Sequence, residues 1–383
     1  MLRVLTLSSL FPDASRPNFG VFVERQTLGL AEHPDVALTV VAPVGVPPWP
    51  LSRHPRYRAL ASLPEREIWK GVEVVRPRFA VLPGTRGRFH AGAMLRAVRR
   101  TVAGRAFDVI DASFFFPDGP AAVALGRELG VPVSIKARGA DIHHWGHAAA
   151  TARQVRDAGL AADGLLAVSR AMVEDMAAIG IPAEKVLVHH TGVDLARFAP
   201  VDRAAAKAAL GVTGPLVVSV GALIPRKGHE VVIDAVSRLD GVTLLIAGDG
   251  PERGALAARG GRVRLLGSVP HRDLPALIAA ADVMALASSS EGLANAWVEA
   301  LACGTPIVIA PAGGAHEVVT APEAGRIVAR DAAAFAEAIG ELLAAPPAAE
   351  AVRGHALRFT WEANTAALYA HLAGLRRGQP ERG

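Results

Sequence analysis

Residues 291–314 have the sequence EGLANAWVEALACGTPIVIAPAGG. Two glutamates, Glu291 and Glu299, stand with seven residues between them, and glycines occur near both ends. The residues just before the stretch predict the end of a strand. A helix is predicted from about Asn295 to Gly304, because Asn favours the start of a helix and Gly the position after its end. Glu291 therefore lies in a loop, and Glu299 about one turn into the helix.

The chemistry of this segment suits a ligand that carries both phosphate and hydroxyl groups. Free backbone N–H groups at a helix N-terminus attract phosphate. Carboxylates repel phosphate but accept hydrogen bonds from vicinal hydroxyls. One glutamate can therefore hold a ribose and the other a sugar, with a diphosphate between them. Each glutamate alone is equally well explained as a surface residue, but the flanking glycines favour the ligand site.

Short apolar runs alternate with Ala- and Leu-rich helical stretches along the chain. The runs are continuously apolar, which is typical of parallel strands covered on both faces, and the βαβα order predicts a doubly wound α/β fold. The predicted strands are Leu2–Ser8, Val36–Ala42, Val72–Arg76, Val109–Ala112, Val133–Ala137, Leu165–Ser169, Val186–His189, Leu216–Gly221, Val242–Ala247, Val263–Gly267, Val283–Leu286, Ile307–Ala310 and Ile327–Ala329.

The length of 383 residues favours two domains. The alternation pauses once, at residues 192–212, where a proline interrupts the chain. This predicts one Rossmann-like domain over residues 1–195 and a second over 196–383. Ligands of open sheets bind beyond the carboxyl ends of strands, so the cleft between the two domains is the expected active site. The final residues, 376–383, predict a disordered tail.

A basic turn follows a predicted strand in VVSVGALIPRKGHEVVIDAV (217–236). Arg226 and Lys227 stand at the carboxyl end of that strand, where two cations can neutralise a pyrophosphate. An exposed basic turn without a ligand explains this motif as well.

Two other loops at predicted strand ends carry glycine. IAGDGPER (246–253) places Asp249 and Gly250 where they can line a base pocket, although many such turns are only turns. LSSLFPDASRPNFGVFVERQ (7–26) places Gly20 before a helix, where a backbone can approach a phosphate. No GxGxxG motif stands at this junction, which argues against a dinucleotide site.

Together these segments resemble the retaining glycosyltransferases of family four, which have the two-domain GT-B fold. The resemblance covers nearly the whole chain. EGLANAWVEALACGTPIV matches the E-x7-E signature of the family, AVSRAMVEDMAAIGIPAEKVLVHHTGVDLARFAP is similar to its interdomain segment, and PNFGVFVERQ is similar to a branch that builds cell-surface polysaccharides. The resemblance implies an acceptor-binding first domain and a nucleotide-sugar-binding second domain that face each other across a cleft, with the last helix packed back towards the first domain.

The resemblance also implies roles for individual residues. Glu299 would bind the ribose hydroxyls of the nucleotide sugar, Glu291 would contact the donor sugar near the reacting carbon, and the loop at Gly20 would close on the phosphate. Arg226 and Lys227 would hold the diphosphate. The expected donor-site residues are Gly20, Arg226, Lys227, Asp249, Gly250, Glu291, Gly292, Leu293, Ala294, Asn295 and Glu299, of which Glu291, Arg226 and Lys227 are the expected catalytic residues.

The chain departs from the family pattern at two positions that bear on activity. Ala222 stands where an arginine is common, and Arg138 stands where many members have a histidine before Gly-x-Asp. Arg138, Asp141 and His143 are expected to face the acceptor or the cleft. His143 and His144 are adjacent, but no cysteine or suitably spaced carboxylate completes a ligand set, so no metal is expected.

The formal net charge of +5 lies in the first half of the chain. Residues 53–105 carry 13 basic and 3 acidic residues, and residues 86–105 carry six arginines and no acid. A helix over 86–105 would place apolar and basic side chains on adjacent faces. This suits contact with an anionic membrane surface, and equally an ordinary helix with its arginines in water. Nucleic acid is disfavoured as a partner because aromatic residues are scarce there.

The first residues contain too short an apolar run for a signal peptide, and no run of 18 apolar residues occurs. A cytoplasmic location is expected, with peripheral contact at the inner face of the membrane as an option. Cys303 is the single cysteine, so the chain forms no internal disulfide, and we expect this thiol to be packed rather than nucleophilic.

The resemblance, together with the charged and glycine-rich loops, implies a retaining hexosyltransferase that moves a sugar from a UDP- or GDP-sugar to a hydroxyl of a glycan or lipid-linked acceptor. By the resemblance, the role is in cell-surface polysaccharide biosynthesis, the departing phosphate takes the acceptor proton, and no cofactor is obligatory. The alternatives are a GT-B phosphorylase, a sugar-nucleotide epimerase, or a non-catalytic protein that binds a sugar nucleotide or a polymer.

Overall fold

The computed structural model describes residues 1–378, which form two compact α/β units. The first unit comprises Met1–His190 and the segment that begins at Trp361, and the second comprises Thr191–Thr360. The boundary predicted from the sequence follows residue 195. Within the described residues, no helix combines the length and apolar character needed to cross a bilayer.

Strands and helices alternate through the first unit up to His190. The strands are β1 (Leu2–Leu7), β2 (Val36–Val41), β3 (Val44–Val46), β4 (Arg66–Trp69), β5 (Val72–Val75), β6 (Arg78–Ala80), β7 (Val109–Ala112), β8 (Val133–Ala137), β9 (Gly164–Ala167) and β10 (Val186–Val188). The helices are α1 (Val21–Glu32), α2 (Pro55–Ala61), α3 (His90–Val102), α4 (Asp118–Leu129), α5 (Ala152–Ala161) and α6 (Arg170–Ala178).

The second unit continues the alternation of strands and helices. Its strands are β11 (Leu216–Val220), β12 (Thr243–Ala247), β13 (Val263–Gly267), β14 (Val283–Leu286), β15 (Ile307–Ile309) and β16 (Gly325–Ile327). Its helices are α7 (Arg203–Ala209), α8 (His229–Val236), α9 (Arg253–Ala257), α10 (Leu274–Ala279), α11 (Asn295–Ala302), α12 (Ala315–Val318), α13 (Ala332–Ala344) and α14 (Ala349–Gly354). The last helix, α15 (Trp361–Arg377), belongs to the first unit.

The sheet of the first unit has the strand order β10-β9-β8-β7-β1-β2-β5-β4. Its neighbours are parallel except for β4, which runs antiparallel to β5 at the edge. Val4 and Leu5 point to opposite faces of β1, yet neither has exposed surface. Val4 belongs to one apolar cluster with Leu368 and Leu372 of α15, whereas Leu5 belongs to another that includes Met94 of α3. Helices therefore cover both faces, which explains the continuously apolar strands.

The sheet of the second unit has the order β13-β12-β11-β14-β15-β16, and all its neighbours are parallel. Successive strands add outward from β11 to β12 and β13 on one side, and from β14 to β15 and β16 on the other. The strand order therefore reverses between β11 and β14. Doubly wound sheets bind ligands at the carboxyl ends of the strands where the order reverses, and we call this place, at the ends of β11 and β14, the crevice.

The structure corrects several predicted elements. The last strand is Gly325–Ile327, not Ile327–Ala329, because Gly325 pairs with Ile307 and a Cβ there would lie 1.8 Å from the Ile307 carbonyl oxygen. The strands β3, β4 and β6 were not predicted, because they are not continuous apolar runs; β4, for example, alternates exposed with half-buried residues. Helix α15 extends through Arg376 and Arg377, so the predicted disordered tail begins later, and residues 379–383 lie outside the described part.

Candidate functional site

The loops after β11, β12 and β14 approach one another through glycine backbone. Gly228 has φ +67°, and a Cβ there would lie 2.1 Å from the carbonyl oxygen of Ala287. A Cβ on Gly250 would lie 2.4 Å from the carbonyl oxygen of Leu223, whose N–H donates to the carbonyl of Asp249 at 2.9 Å. Any side chain at either glycine would collide with main chain. The spacing of these loops, including the predicted Asp249–Gly250 turn, therefore depends on glycine.

Arg226, Lys227 and Glu291 form a charged cluster at this crevice. The Nζ of Lys227 lies 2.5 Å from Oε1 of Glu291, and Nη1 of Arg226 lies 3.5 Å from Oε2 of the same carboxylate. Arg226 also donates to the backbone carbonyl of Ser290. The side chains of Lys227 and Glu291 are only 15% and 9% exposed, whereas that of Arg226 is 41% exposed. Two cations thus face one carboxylate, which leaves a local excess of positive charge.

The glycines at the far end of the opening segment support the Glu291 loop. Gly313 has φ +52°, and a Cβ there would lie 2.2 Å from the carbonyl oxygen of Glu291. The N–H of Gly314 donates to the carbonyl of Gly292 at 2.7 Å. The loop thus rests on this Gly-Gly turn, and an added side chain at Gly313 would push it out of position.

Helix α11 begins without a side-chain cap. The cap residue is Ala294 and Asn295 is the first helical residue, so the prediction that Asn295 caps the helix is wrong. Leu293 and Ala294 are buried, at 7% and 8% exposure, and anchor the loop before the helix. Because no side-chain oxygen caps this end, its backbone N–H groups are suited to an anion.

Glu299 lies on α11 beside a residue that was not predicted from the sequence. Its Oε1 is 2.9 Å from Nε2 of His271, which lies in the turn between β13 and α10. The two residues are 28 positions apart and share no motif, so their contact depends on the packing of α10 against α11.

Arg330 was also not predicted from the sequence, although it ties the two key loops together. Its Nε donates to the carbonyl of Ala287 at 2.7 Å, and its Nη2 donates to the carbonyl of Pro225 at 3.0 Å. The same nitrogen lies 3.0 Å from Oε1 of Glu230 on α8. Arg330 therefore connects the turn after β11 to the end of β14 through one guanidinium group.

In the first unit, Gly20 is the cap residue of α1. It has φ +70°, and a Cβ there would lie 2.5 Å from the carbonyl oxygen of Leu10. The loop after β1 therefore folds back onto its own backbone at Gly20, and glycine is required for that contact.

Arg138, which is half-buried, and Asp141, which is buried, lie in a polar network beyond the end of β8. Both oxygens of Asp141 accept backbone N–H groups, including those of Arg138 and Phe115, and burial raises the pKa of this carboxyl group. The Nε of Arg138 donates to the carbonyl of Ser113 at 2.6 Å, and its Nη2 donates to Oε1 of Gln26 at 3.1 Å. Burial lowers the pKa of Arg138 to about 10. Asp141 thus organises the loop rather than presenting a free carboxylate.

His143 and Cys303 carry side chains that could serve metal binding or nucleophilic chemistry. His143 Nε2 lies 2.7 Å from Oδ2 of Asp175. Within residues 1–378, no group of three or more His, Cys, Asp or Glu side chains could hold a metal ion. Burial raises the pKa of the Cys303 thiol to about 12, so this cysteine is a packed thiol and not a nucleophile.

Solved structures share this architecture over almost the whole chain. Sucrose-phosphate synthase from Thermosynechococcus elongatus superposes with a TM-score of 0.82 at 20% identity and covers 99% of this chain and 100% of that one. HepE of Anabaena, solved in complex with UDP, superposes with a TM-score of 0.74 at 20% identity and covers 98% of this chain and 100% of that one. The two Rossmann-like units therefore have the GT-B fold.

Sequence relatives carry glycosyltransferase names. A putative teichuronic acid biosynthesis glycosyltransferase, TuaC of Bacillus subtilis, is 29% identical over 88% of each chain. The D-inositol 3-phosphate glycosyltransferase of Mycobacterium tuberculosis is 38% identical over 50% of this chain and 44% of its own length. The family model described as Glycosyltransferase Family 4 matches residues 21–197, and the model described as Glycosyl transferases group 1 matches residues 214–345. The chain therefore belongs to the family-four glycosyltransferases.

Proposed function

We propose that this glycosyltransferase moves a hexosyl group from a UDP- or GDP-sugar to a hydroxyl of a glycan or lipid-linked acceptor in cell-surface polysaccharide biosynthesis. The observation that carries the donor assignment is the cluster of Arg226, Lys227 and Glu291 at the reversal of strand order between β11 and β14. The name of TuaC supports the polysaccharide role, and the UDP complex of HepE supports a uracil nucleotide.

Each charged group at the crevice has a part in the proposed donor complex. Arg226 and Lys227 neutralise the diphosphate as it departs, aided by the uncapped N-terminus of α11. Glu299 accepts hydrogen bonds from the ribose hydroxyls, and Glu291 accepts them from the sugar. The remaining donor contacts come from the Asp249–Gly250 turn and the backbone of residues 292–295.

The proposed transfer keeps the configuration of the anomeric carbon. The bond between that carbon and the diphosphate oxygen breaks, the acceptor oxygen forms its bond on the same face, and the departing phosphate takes the hydroxyl proton. Glu291 is a poor nucleophile because two cations already engage its oxygens. No step of this proposal uses a metal or a cofactor.

Nucleotide-dependent stabilisation tests the donor assignment. Melting temperatures are measured with UDP, GDP and ADP for the wild type, Glu299→Ala and the exposed control Glu337→Ala. We expect one nucleotide to raise the melting temperature of the wild type and of the control, and to have much less effect on Glu299→Ala. Stabilisation by none of them would overturn the assignment. Release of free sugar from the matching nucleotide sugar would exclude a protein that only binds.

We also propose that the first unit contacts an anionic membrane surface at the inner face of the membrane. On α3, Arg99 pairs with Glu128 of α4 at 3.4 Å. Arg96 and Arg100, one turn apart, instead line a groove of about 460 Å³ together with Arg66 and Arg78. One acid, Glu65, lines the same groove, so it carries a net positive charge. The groove, rather than the whole helix, is therefore the basic surface that suits lipid phosphate.

Co-sedimentation with vesicles tests the membrane proposal. We expect Arg96→Gln combined with Arg100→Gln to bind anionic phosphatidylglycerol vesicles about 30-fold more weakly than the wild type, because each of the two cations contributes about 1 kcal/mol at such a surface. The matched control is Arg99→Gln combined with Arg127→Gln, which removes equal charge outside the groove. Equal losses in both double variants would contradict a specific role for the groove.

A further inference from the structure

We infer that His271 is a positioning residue for the ribose of the donor, acting through Glu299; this inference rests on the proposed donor site. The Nε2 of His271 lies 2.9 Å from Oε1 of Glu299. The other carboxylate oxygen, Oε2, makes no hydrogen bond within residues 1–378. One oxygen is thus occupied by the protein, and the second is left to accept from a ligand.

The direction of this hydrogen bond follows from the two groups. A carboxylate is only an acceptor, so Nε2 of His271 carries the proton and donates it. Hydrogen bonds to an ionised group are stronger than neutral ones and fix geometry better. A glutamate that had to be ordered by the ligand alone would lose side-chain entropy on binding, which would weaken affinity. His271 removes that cost because it orders the carboxylate beforehand.

The position of His271 is itself fixed by a neighbouring segment. Its ring packs against the buried ring of Phe198, with 5.6 Å between the ring centroids. Its backbone carbonyl accepts a hydrogen bond from Nη2 of Arg197 at 3.2 Å. Arg353 in turn donates to the carbonyls of Phe198 and Leu195 at 2.7 and 2.8 Å. The contacts of Phe198, Arg197 and Arg353 thus hold the imidazole against Glu299.

This arrangement predicts a selective loss in His271→Ala. Without the histidine, Glu299 stays on α11 but its carboxylate samples several rotamers. Recognition of the ribose hydroxyls should weaken, whereas contacts to the diphosphate should stay intact. A general disturbance of the unit would instead weaken the binding of every nucleotide to the same degree.

The test compares a nucleoside diphosphate with its 2′-deoxy counterpart by calorimetric titration. The probe is whichever of UDP, GDP and ADP binds the wild type most tightly. We expect the wild type to prefer the ribonucleotide about tenfold, as for hydrogen bonds to a charged acceptor. We expect His271→Ala to lose most of that preference, as Glu299→Ala does. His271→Gln keeps an N–H donor and should retain much of it, and the exposed neighbour Arg272→Ala should match the wild type.

The outcomes separate this inference from the donor-site proposal. If Glu299→Ala loses the ribose preference and His271→Ala keeps it, the role of His271 is overturned while the donor site stands. The role of His271 is also overturned if His271→Ala lowers the affinities for the ribonucleotide and the 2′-deoxynucleotide equally and His271→Gln does not restore them. If the wild type binds none of the three nucleotides, the proposed donor site itself fails.

Discussion

Single charged residues at the crevice depend on one another. Lys227 and Glu291 are mostly buried, so each bears a desolvation cost that its partner offsets. Arg226 lies farther from the carboxylate and is more exposed, so Lys227 is the nearer neutralising group. Removal of the lysine therefore affects both the stability of the unit and its proposed chemistry, and these two effects can be separated.

We expect Lys227→Ala to lower the kcat of sugar transfer about 100-fold, because one of two cations at the leaving diphosphate is lost. It should also lower the free energy of unfolding by about 1–2 kcal/mol, because Glu291 loses its nearest partner. Adding Glu291→Gln removes the buried carboxylate that has lost its nearest partner, so the double variant should regain stability but not activity. Urea unfolding measures the stability of each variant, and initial rates measure its activity. A wild-type rate in Lys227→Ala would contradict the proposed role of this lysine.

At the scale of elements, the connection from β11 to α8 depends on Gly228. We expect Gly228→Ala to lower the free energy of unfolding by at least about 2 kcal/mol, because alanine is strained at φ +67° and its Cβ would collide with the Ala287 carbonyl. The control is Gly254→Ala in α9, where an added Cβ would meet open space and alanine should stabilise the helix slightly. Similar denaturation midpoints for the two variants would contradict this account.

Arg330 joins two loops that come from different strands, so its loss should disturb their mutual position. We expect Arg330→Met to weaken nucleotide binding about tenfold, because the turn after β11 and the end of β14 lose a shared donor. The matched control is Arg326→Met on β16, whose side chain donates to the carbonyl of Pro322 and pairs with Glu341. Calorimetric titration measures the nucleotide affinity of both variants. Equal affinities of Arg330→Met and Arg326→Met would show that Arg330 has no positioning role.

At the scale of the whole molecule, local patterns predicted the strand-and-loop framework but not its cross-connections. The segment around Glu291 was predictable because the apolar run, the loop and the helix signals are adjacent in sequence. The partnership of His271 with Glu299 was not, because it arises from helix packing over 28 positions. Arg330 reaches loops 43 and 105 positions away, and no local motif marks such a residue.

The first unit contains a buried histidine, His189, and a half-buried one, His371, which give its stability a pH dependence. His371 of α15 lies 2.9 Å from the Ser134 hydroxyl on β8, and burial lowers its pKa to about 4. Burial, together with the charge of Lys136, lowers the pKa of His189 to about 2. In the unfolded chain, histidine titrates near 6.5. Below that pH the unfolded chain binds protons that the folded chain does not, so stability is full above about pH 6.5 and is lost as the pH falls.

For His371 alone, the free energy of unfolding should fall by roughly 2 kcal/mol between pH 7 and pH 4.5. We expect His371→Gln, which cannot titrate, to lose about that much less stability than the wild type over the same interval. The exposed control His147→Gln in the same unit should keep the wild-type slope. Urea unfolding at both pH values measures the difference. An unchanged slope in His371→Gln would mean that the ring is protonated or solvated in the folded unit, and that the contact of α15 with β8 does not exclude water from it.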